Sequence, residues 1–470
     1  MPASTPRTAP IMATLLLAGL VYALAQTVVA PALPAIARGY DTTLGTATWV
    51  LTGFLVSASV ATPIVGKLGD LYGRGRVLTL VLLTFAVGSV ICGLAQSIGV
   101  VISGRVLQGV GSGVFPLAFG IIRDTFPRER VGVGIGVLSA MFGIGGGIGL
   151  PLAGVIVDNA DLSWLFWIGL MAVPAAVAAH RMIPVAAQRR PARIDWAGAA
   201  VLSGALVCLL LGVANAGAWG WDSVRVLALL VGGLALGAGW VALERRVAEP
   251  LIDLRVLRSR PVAATNLAAT LVGFAMFSSF LLIPQFAQTP TQAGYGFGSS
   301  VTQAGLIMLP SALVMLVAGP FAGWMGSRIG FRAILATGAG CAALAFAFLA
   351  VAHKEVWEFV LAGALIGVGI SFAFSSMANL VVESVPQGDV GIATGINTIA
   401  RTIGGAAGAA AVTAVLTARM VPGTMVPVES GYTTAFVIAA AVGVLALLAA
   451  LAVPRRPRAQ HEPAAEPALA

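Results

Sequence analysis

The sequence predicts an all-α membrane protein of fourteen helices, built as two parallel six-helix halves with a pair of helices inserted between them. Three observations carry this. Of 470 residues, 58% are hydrophobic and only 10% are charged, whereas soluble domains carry about 25% charged residues. That balance excludes a water-soluble enzyme and a disordered chain. The apolar residues fall into fourteen unbroken runs, most near the ~20 residues that cross a bilayer as a helix; strand-built pores alternate instead. Finally, a glycine-spaced, arginine-bearing segment recurs after runs 2 and 10.

The runs cover 11–30, 49–66, 77–96, 100–122, 131–156, 163–180, 196–217, 225–243, 262–284, 302–322, 333–352, 356–380, 390–416 and 433–453. The first is long enough to be a span rather than a signal-peptide core. With both termini in the cytoplasm, 21 of the 27 Lys and Arg fall on inner segments and four on outer ones, leaving Arg105 and Arg401 within runs. This is the positive-inside bias, and it explains the net charge of +9 without any nucleic-acid partner. The inner set includes Arg189, Arg190 and Arg193 before run 7 and Arg455, Arg456 and Arg458 in the tail. Cys92, Cys208 and Cys341 lie inside apolar runs and read as small hydrophobes. High Ala, Gly and Arg with two lysines suggests a GC-rich bacterial genome, and so the inner (plasma) membrane.

Gly66, Gly69, Asp70, Gly73, Arg74 and Arg76 form the segment after run 2; Gly323, Gly326, Arg328, Gly330 and Arg332 repeat its spacing after run 10. The repeat divides the chain into a first half (1–190), an inserted pair (191–255), a second half (256–453) and a cytoplasmic tail (454–470). Two parallel six-helix halves are the known arrangement of major facilitator transporters. The segment is expected as a tight loop in which Asp70 pairs with arginine and caps backbone amides, latching one conformation.

Buried polar groups mark candidate function. Arg105 lies about five residues into run 4, with Gln108 three residues on, on the same helix face. A charge at the bilayer centre is costly, so Arg105 either faces a polar cavity or snorkels outward. Arg401 lies deeper, about eleven residues into run 13, where snorkelling is harder. Tyr22, Gln26, Asn266, Phe274, Phe372, Asn379 and Asn397 complete a candidate substrate cavity. In run 5, Gly143/Gly147 and Gly145/Gly149 are GxxxG pairs that permit close helix approach, and Pro151 removes a backbone hydrogen bond. Gly145, Gly149 and Pro151 are therefore candidate gating residues.

These motifs resemble the major facilitator superfamily, in its fourteen-helix drug:proton antiporter branch. The residues from Gly66 to Arg76 are similar to the family's signature between spans 2 and 3, although Leu71 stands where a basic residue is usual. Arg105, Gln108 and Gly109 match its R-x-x-Q-G pattern, and Gly143 to Gly154 resemble its antiporter signature. Asp195-Trp196 and Glu249-Pro250-Leu251 are similar to its junctions around the inserted pair. Gly391, Gly395, Asn397, Arg401 and Gly404 resemble its span 13 pattern. The resemblance implies multidrug efflux by alternating access driven by the proton gradient, with no bound cofactor and a monomeric chain.

One departure bears on coupling. Where the family's span 1 commonly carries L-D-x-T, this chain reads Leu24-Ala25-Gln26-Thr27, and no Asp, Glu or His lies deep in any run. A proton carrier usually needs a group whose pKa crosses the working pH. Three readings stay open: coupling through peripheral Asp70, Asp158 or Glu383; a facilitator or uptake carrier without proton coupling; or a substrate that itself carries the titratable group. Two intramembrane arginines without a deep acid favour neutral or anionic amphipathic solutes. An intramembrane enzyme would need nucleophile–base pairs or metal ligands, and neither H-E-x-x-H nor G-x-S-x-G occurs. An ATP-binding G-x-x-x-x-G-K-[ST] loop is also absent.

Overall fold

The computed structural model describes residues 8–184, 195–247, 254–386, 389–418, 420–421 and 426–454. Arg189, Arg190, Arg193, the Glu249–Leu251 junction, the 190/191 boundary and the tail arginines lie outside the described residues. Among the described residues, fourteen helices are long and apolar enough to span a membrane. We number them α1 (Thr8–Leu33), α2 (Gly45–Tyr72), α3 (Arg74–Gly93), α4 (Ile98–Thr125), α5 (Arg128–Asn159), α6 (Trp164–Met182), α7 (Trp196–Ala216), α8 (Val224–Glu244), α9 (Arg260–Gln288), α10 (Val301–Ile329), α11 (Phe331–Val351), α12 (Val356–Ser384), α13 (Val390–Thr417) and α14 (Glu429–Ala452). No strand occurs among the described residues; Met420 and Pro427 form an isolated bridge.

Each expected run contains one helix, and several helices are longer than their runs. The largest correction concerns 66–76. This segment is not a loop: α2 stays helical to Tyr72, and Gly73 alone separates it from α3. Gly73 adopts φ +96°, and Gly330, which joins α10 to α11, adopts φ +95°. That backbone region favours glycine. The two junctions are also closed alike, by Gly73 N–H donating to Gly69 O (3.1 Å) and Gly330 N–H to Gly326 O (2.8 Å). The sequence repeat is thus a repeated helix–glycine–helix corner.

Residues of α1 to α6 share one apolar core around Leu15, Phe85, Phe115 and Leu138, and residues of α9 to α14 share another around Phe286, Phe346, Phe359 and Phe436. The halves meet along two seams. In the first, α5 and α10 touch from end to end. Gly132 faces Gly323, Gly136 faces Gly319, Gly147 faces Ala312 and Gly305 faces Pro151, all too close to admit a Cβ without a shift. In the second, α2 and α13 touch at the arginine-rich end of the bundle, where a Cβ on Gly66 would lie 2.6 Å from the Gly391 carbonyl oxygen. At that end the first core continues into the second half through Val381, Val382, Val385 and Val390. The bundle is therefore sealed there. The inserted pair backs this second seam: Ala199 of α7 and Trp240 of α8 form a small core with Ile392, against which Ile64 and Ile396 pack.

Candidate functional site

A cavity lies between the halves. It is lined by Tyr22 and Gln26 of α1, Leu55, Ala58, Ser59 and Thr62 of α2, Ser112 and Phe115 of α4, and Phe142 of α5. The second half contributes Met276 and Phe277 of α9 and Thr398, Ile399, Arg401 and Thr402 of α13. No carboxylate is among these lining residues. Rings form a ladder across the interface. Tyr22 stacks on Phe54 (5.7 Å) and meets Phe115 edge-on (6.0 Å); Phe115 stacks on Phe142 (3.8 Å), which meets Phe374 edge-on (5.1 Å). An arginine sits at each end: the Arg105 guanidinium lies 4.1 Å from the Phe54 centroid, and that of Arg401 lies 4.3 Å from Phe374 and 4.9 Å from Phe142.

Of the residues singled out in the sequence, Tyr22, Gln26 and Arg401 line this cavity. The remainder take other places. Arg105 does not snorkel and does not line the cavity. It is 1% exposed and held inside the first half: Nε donates to Val50 O (3.1 Å), and Nη1 to Ala25 O (3.0 Å) and to Gln108 Oε1 (2.8 Å). Gln108 in turn donates to Ser89 Oγ (2.8 Å). This network stitches α1, α2, α3 and α4 together, so Arg105 and Gln108 act as internal fasteners. Asn397 donates to Asn266 Oδ1 (3.0 Å) and joins α13 to α9 instead of lining the cavity.

Phe274, Phe372 and Asn379 are likewise corrections. The Phe274 backbone packs where Gly408 lacks a side chain, while Phe277, one turn on, reaches the cavity. Phe372 is buried within the second half, against Ala318 and Ala322 of α10 and Ile334 of α11. Asn379 is buried and donates to Ser375 O (2.8 Å) within its own helix. Sequence reading can identify a polar or aromatic residue in a span; the neighbour it faces depends on helix rotation, which short-range spacing does not set. Phe115 and Phe142 were missed for that reason. Phe142 carried one signal: it is the bulky residue directly preceding the Gly143–Gly149 run.

The candidate gating residues lie at the seams. Asp70 Oδ1 accepts from Arg74 Nε (3.0 Å) and Nη2 (2.7 Å), and its Oδ2 accepts from the Gly391 N–H (3.2 Å) at the start of α13. Arg74 also pairs with Asp124 and donates to Gly120 O (3.3 Å). A carboxylate at a helix N-terminus is favoured by the helix dipole and free amides, so Asp70 ties the first half to the second. Gly66 allows this approach, Gly69 makes room for Leu117 of α4, and Arg76 is exposed on the first turn of α3. In α5 the glycines form two stripes on two faces: Gly145 and Gly149 meet Ala23 and Thr27 of α1, whereas Gly143 and Gly147 meet Met315 and Ala312 of α10. Thr27 Oγ1 donates to Gly145 O (2.7 Å). Pro151 lies within a continuous helix. Asp158 and Glu383 are exposed, and Asp158 accepts weakly from Thr302 (3.4 Å).

Two six-helix halves around a shared chamber, with paired glycine corners, define a major facilitator fold. The sequence profile described as Major Facilitator Superfamily matches residues 15–409 and 289–469, and the chain belongs to that family. An uncharacterised MFS-type transporter of Mycobacterium tuberculosis is 32% identical over 382 residues, 80% of this chain and 54% of that protein, so the chain spans about half of that relative's length. The tetracenomycin C resistance and export protein of Streptomyces glaucescens is 30% identical over 388 residues, 80% of this chain and 70% of that protein. The crystal structure of the human organic anion transporter MFSD10 is similar with a TM-score of 0.66 at 17% identity, covering 95% of this chain and all of that one. This last likeness bears on the fold alone. The family and these relatives are transporters, not enzymes.

Proposed function

We propose that the chain exports small amphipathic compounds by alternating access, driven by the proton gradient across a bacterial plasma membrane, with both termini cytoplasmic and the monomer as the working unit. The observation that carries this is a cavity walled by both halves and sealed at the arginine-rich end by Asp70, Arg74 and Gly391. Breaking that seal while closing the opposite end would move the cavity from one side to the other. The Streptomyces relative, named for resistance and export, supports the direction.

A second reading is favoured by one observation. No carboxylate lines the cavity, so the chain would work as a facilitator without proton coupling. Inverted vesicles separate the two. Antiport predicts that collapsing an imposed pH gradient lowers substrate accumulation at least ten-fold. It also predicts that Asp70→Asn lowers gradient-driven flux about ten-fold, while Asp158→Asn and Glu383→Gln stay within three-fold. Flux indifferent to the gradient rejects antiport and leaves facilitation.

A further inference from the structure

The two intramembrane arginines are both buried but differently employed. Arg105 donates three hydrogen bonds to protein oxygens. Arg401 is 9% exposed, lines the cavity, and makes no hydrogen bond or ion pair among the described residues. Its guanidinium is held by the faces of Phe142 and Phe374, contacts that stabilise a cation but satisfy none of its N–H donors. A buried charge without a counter-ion is unfavourable, and the shortfall is relieved when an anion arrives. The fixed plane of a guanidinium also leaves its N–H edge for two parallel bonds to a flat oxyanion. Around it, Phe115, Tyr22, Met276 and Phe277 offer an apolar, ring-rich wall.

We propose that Arg401 is the substrate's anion-binding residue, and that the cavity takes aromatic carboxylates: the carboxylate pairs with the Arg401 guanidinium and the ring system lies against the aromatic ladder. This rests on the export reading and specifies its substrate class. Because Phe142 comes from the first half and Phe374 from the second, the charge sits at the junction where both halves hold it. A quaternary ammonium ion of the same size would meet like charge in a poorly screened site.

The test compares four probes on the purified full chain in nanodiscs: naphthalene-2-carboxylate, naphthalene-2-carboxamide, the naphthylmethyl-trimethylammonium ion and sodium chloride. Dissociation constants come from ligand-dependent thermal stabilisation. The wild type is expected to bind the carboxylate at least ten-fold more tightly than the amide or the cation, with chloride alone giving no comparable stabilisation. Arg401→Gln is expected to lose at least ten-fold in carboxylate affinity while its amide affinity stays within three-fold; Arg401→Lys should fall between. A wild type that does not prefer the carboxylate, or that chloride stabilises equally, overturns the proposal without recourse to any variant. So does an Arg401→Gln protein with unchanged preference. Vesicle transport is read separately: compounds that move without a carboxylate preference overturn the anion site and leave export standing. A carboxylate preference in binding with no transport of any probe supports the site and counts against export.

Discussion

Arg105 and Arg401 show how two residues of one type, both within spans, come to do different work. Removing Arg105 would leave the buried Gln108 Oε1 without its donor and an empty space where the guanidinium now bridges α1, α2 and α4. Leaving a buried polar atom without a partner costs about 1–3 kcal/mol, and the cavity left by so large a buried side chain adds to it, so Arg105→Ala is expected to lower stability by several kcal/mol. Arg401→Ala gives up ring contacts but no hydrogen bond, and its loss should be smaller by at least about 2 kcal/mol. Thermal unfolding of the two variants in the same detergent checks the order; equal losses would contradict it. The sequence made both arginines visible, because charge inside an apolar run is conspicuous. It could not distinguish fastener from cavity lining, since that depends on carbonyls more than fifty residues away along the chain.

Among the helices, glycine does most of the positioning. Gly66 and Gly391 bring α2 and α13 together at the sealed end, and a methyl on Gly66 would lie 2.6 Å from the Gly391 carbonyl oxygen. Overpacking of this kind costs about 1–3 kcal/mol. Since it acts on the closed arrangement, Gly66→Ala should shift the population toward one open at the arginine-rich end. In a cysteine-free background, a probe cysteine replacing buried Thr394 should then react several-fold faster with a water-soluble maleimide added from that side. An unchanged rate would mean that the seam relaxes around the methyl. The GxxxG spacings were legible in the sequence, but their division between partners was not. Gly145 and Gly149 face α1 while Gly143 and Gly147 face α10, a difference of helix rotation. The helical course of 66–72 was hidden for a related reason: glycines usually argue against helix, and here the neighbouring helices supply the packing that overrides propensity.

For the whole molecule, the count and order of spans came from hydropathy and the placement of arginines, because a bilayer imposes a single length on every element. The inserted pair preserves the parity of the chain, so α5 and α9 both start from the arginine-rich end. Cysteines replacing Arg128 and Arg258 are therefore expected to label from the same side of sealed vesicles, and labelling from opposite faces would break the fourteen-helix topology. What hydropathy could not reveal is the location of that pair. It backs the α2–α13 seam through Ala199, Trp240 and Ile392, an arrangement set by side-chain fit between residues far apart in the chain.

The glycine content of α5 has a consequence for its mechanics. Five glycines fall between 143 and 149, followed by Pro151; each glycine favours a helix less than alanine does by about 1 kcal/mol, and the proline deletes a rung of the ladder. Alone, this stretch would be a weak helix. Its continuity as a helix is supported by α1 on one flank and α10 on the other; α10 belongs to the second half, so a parting of the halves that loosens its grip also releases a joint in the middle of the membrane.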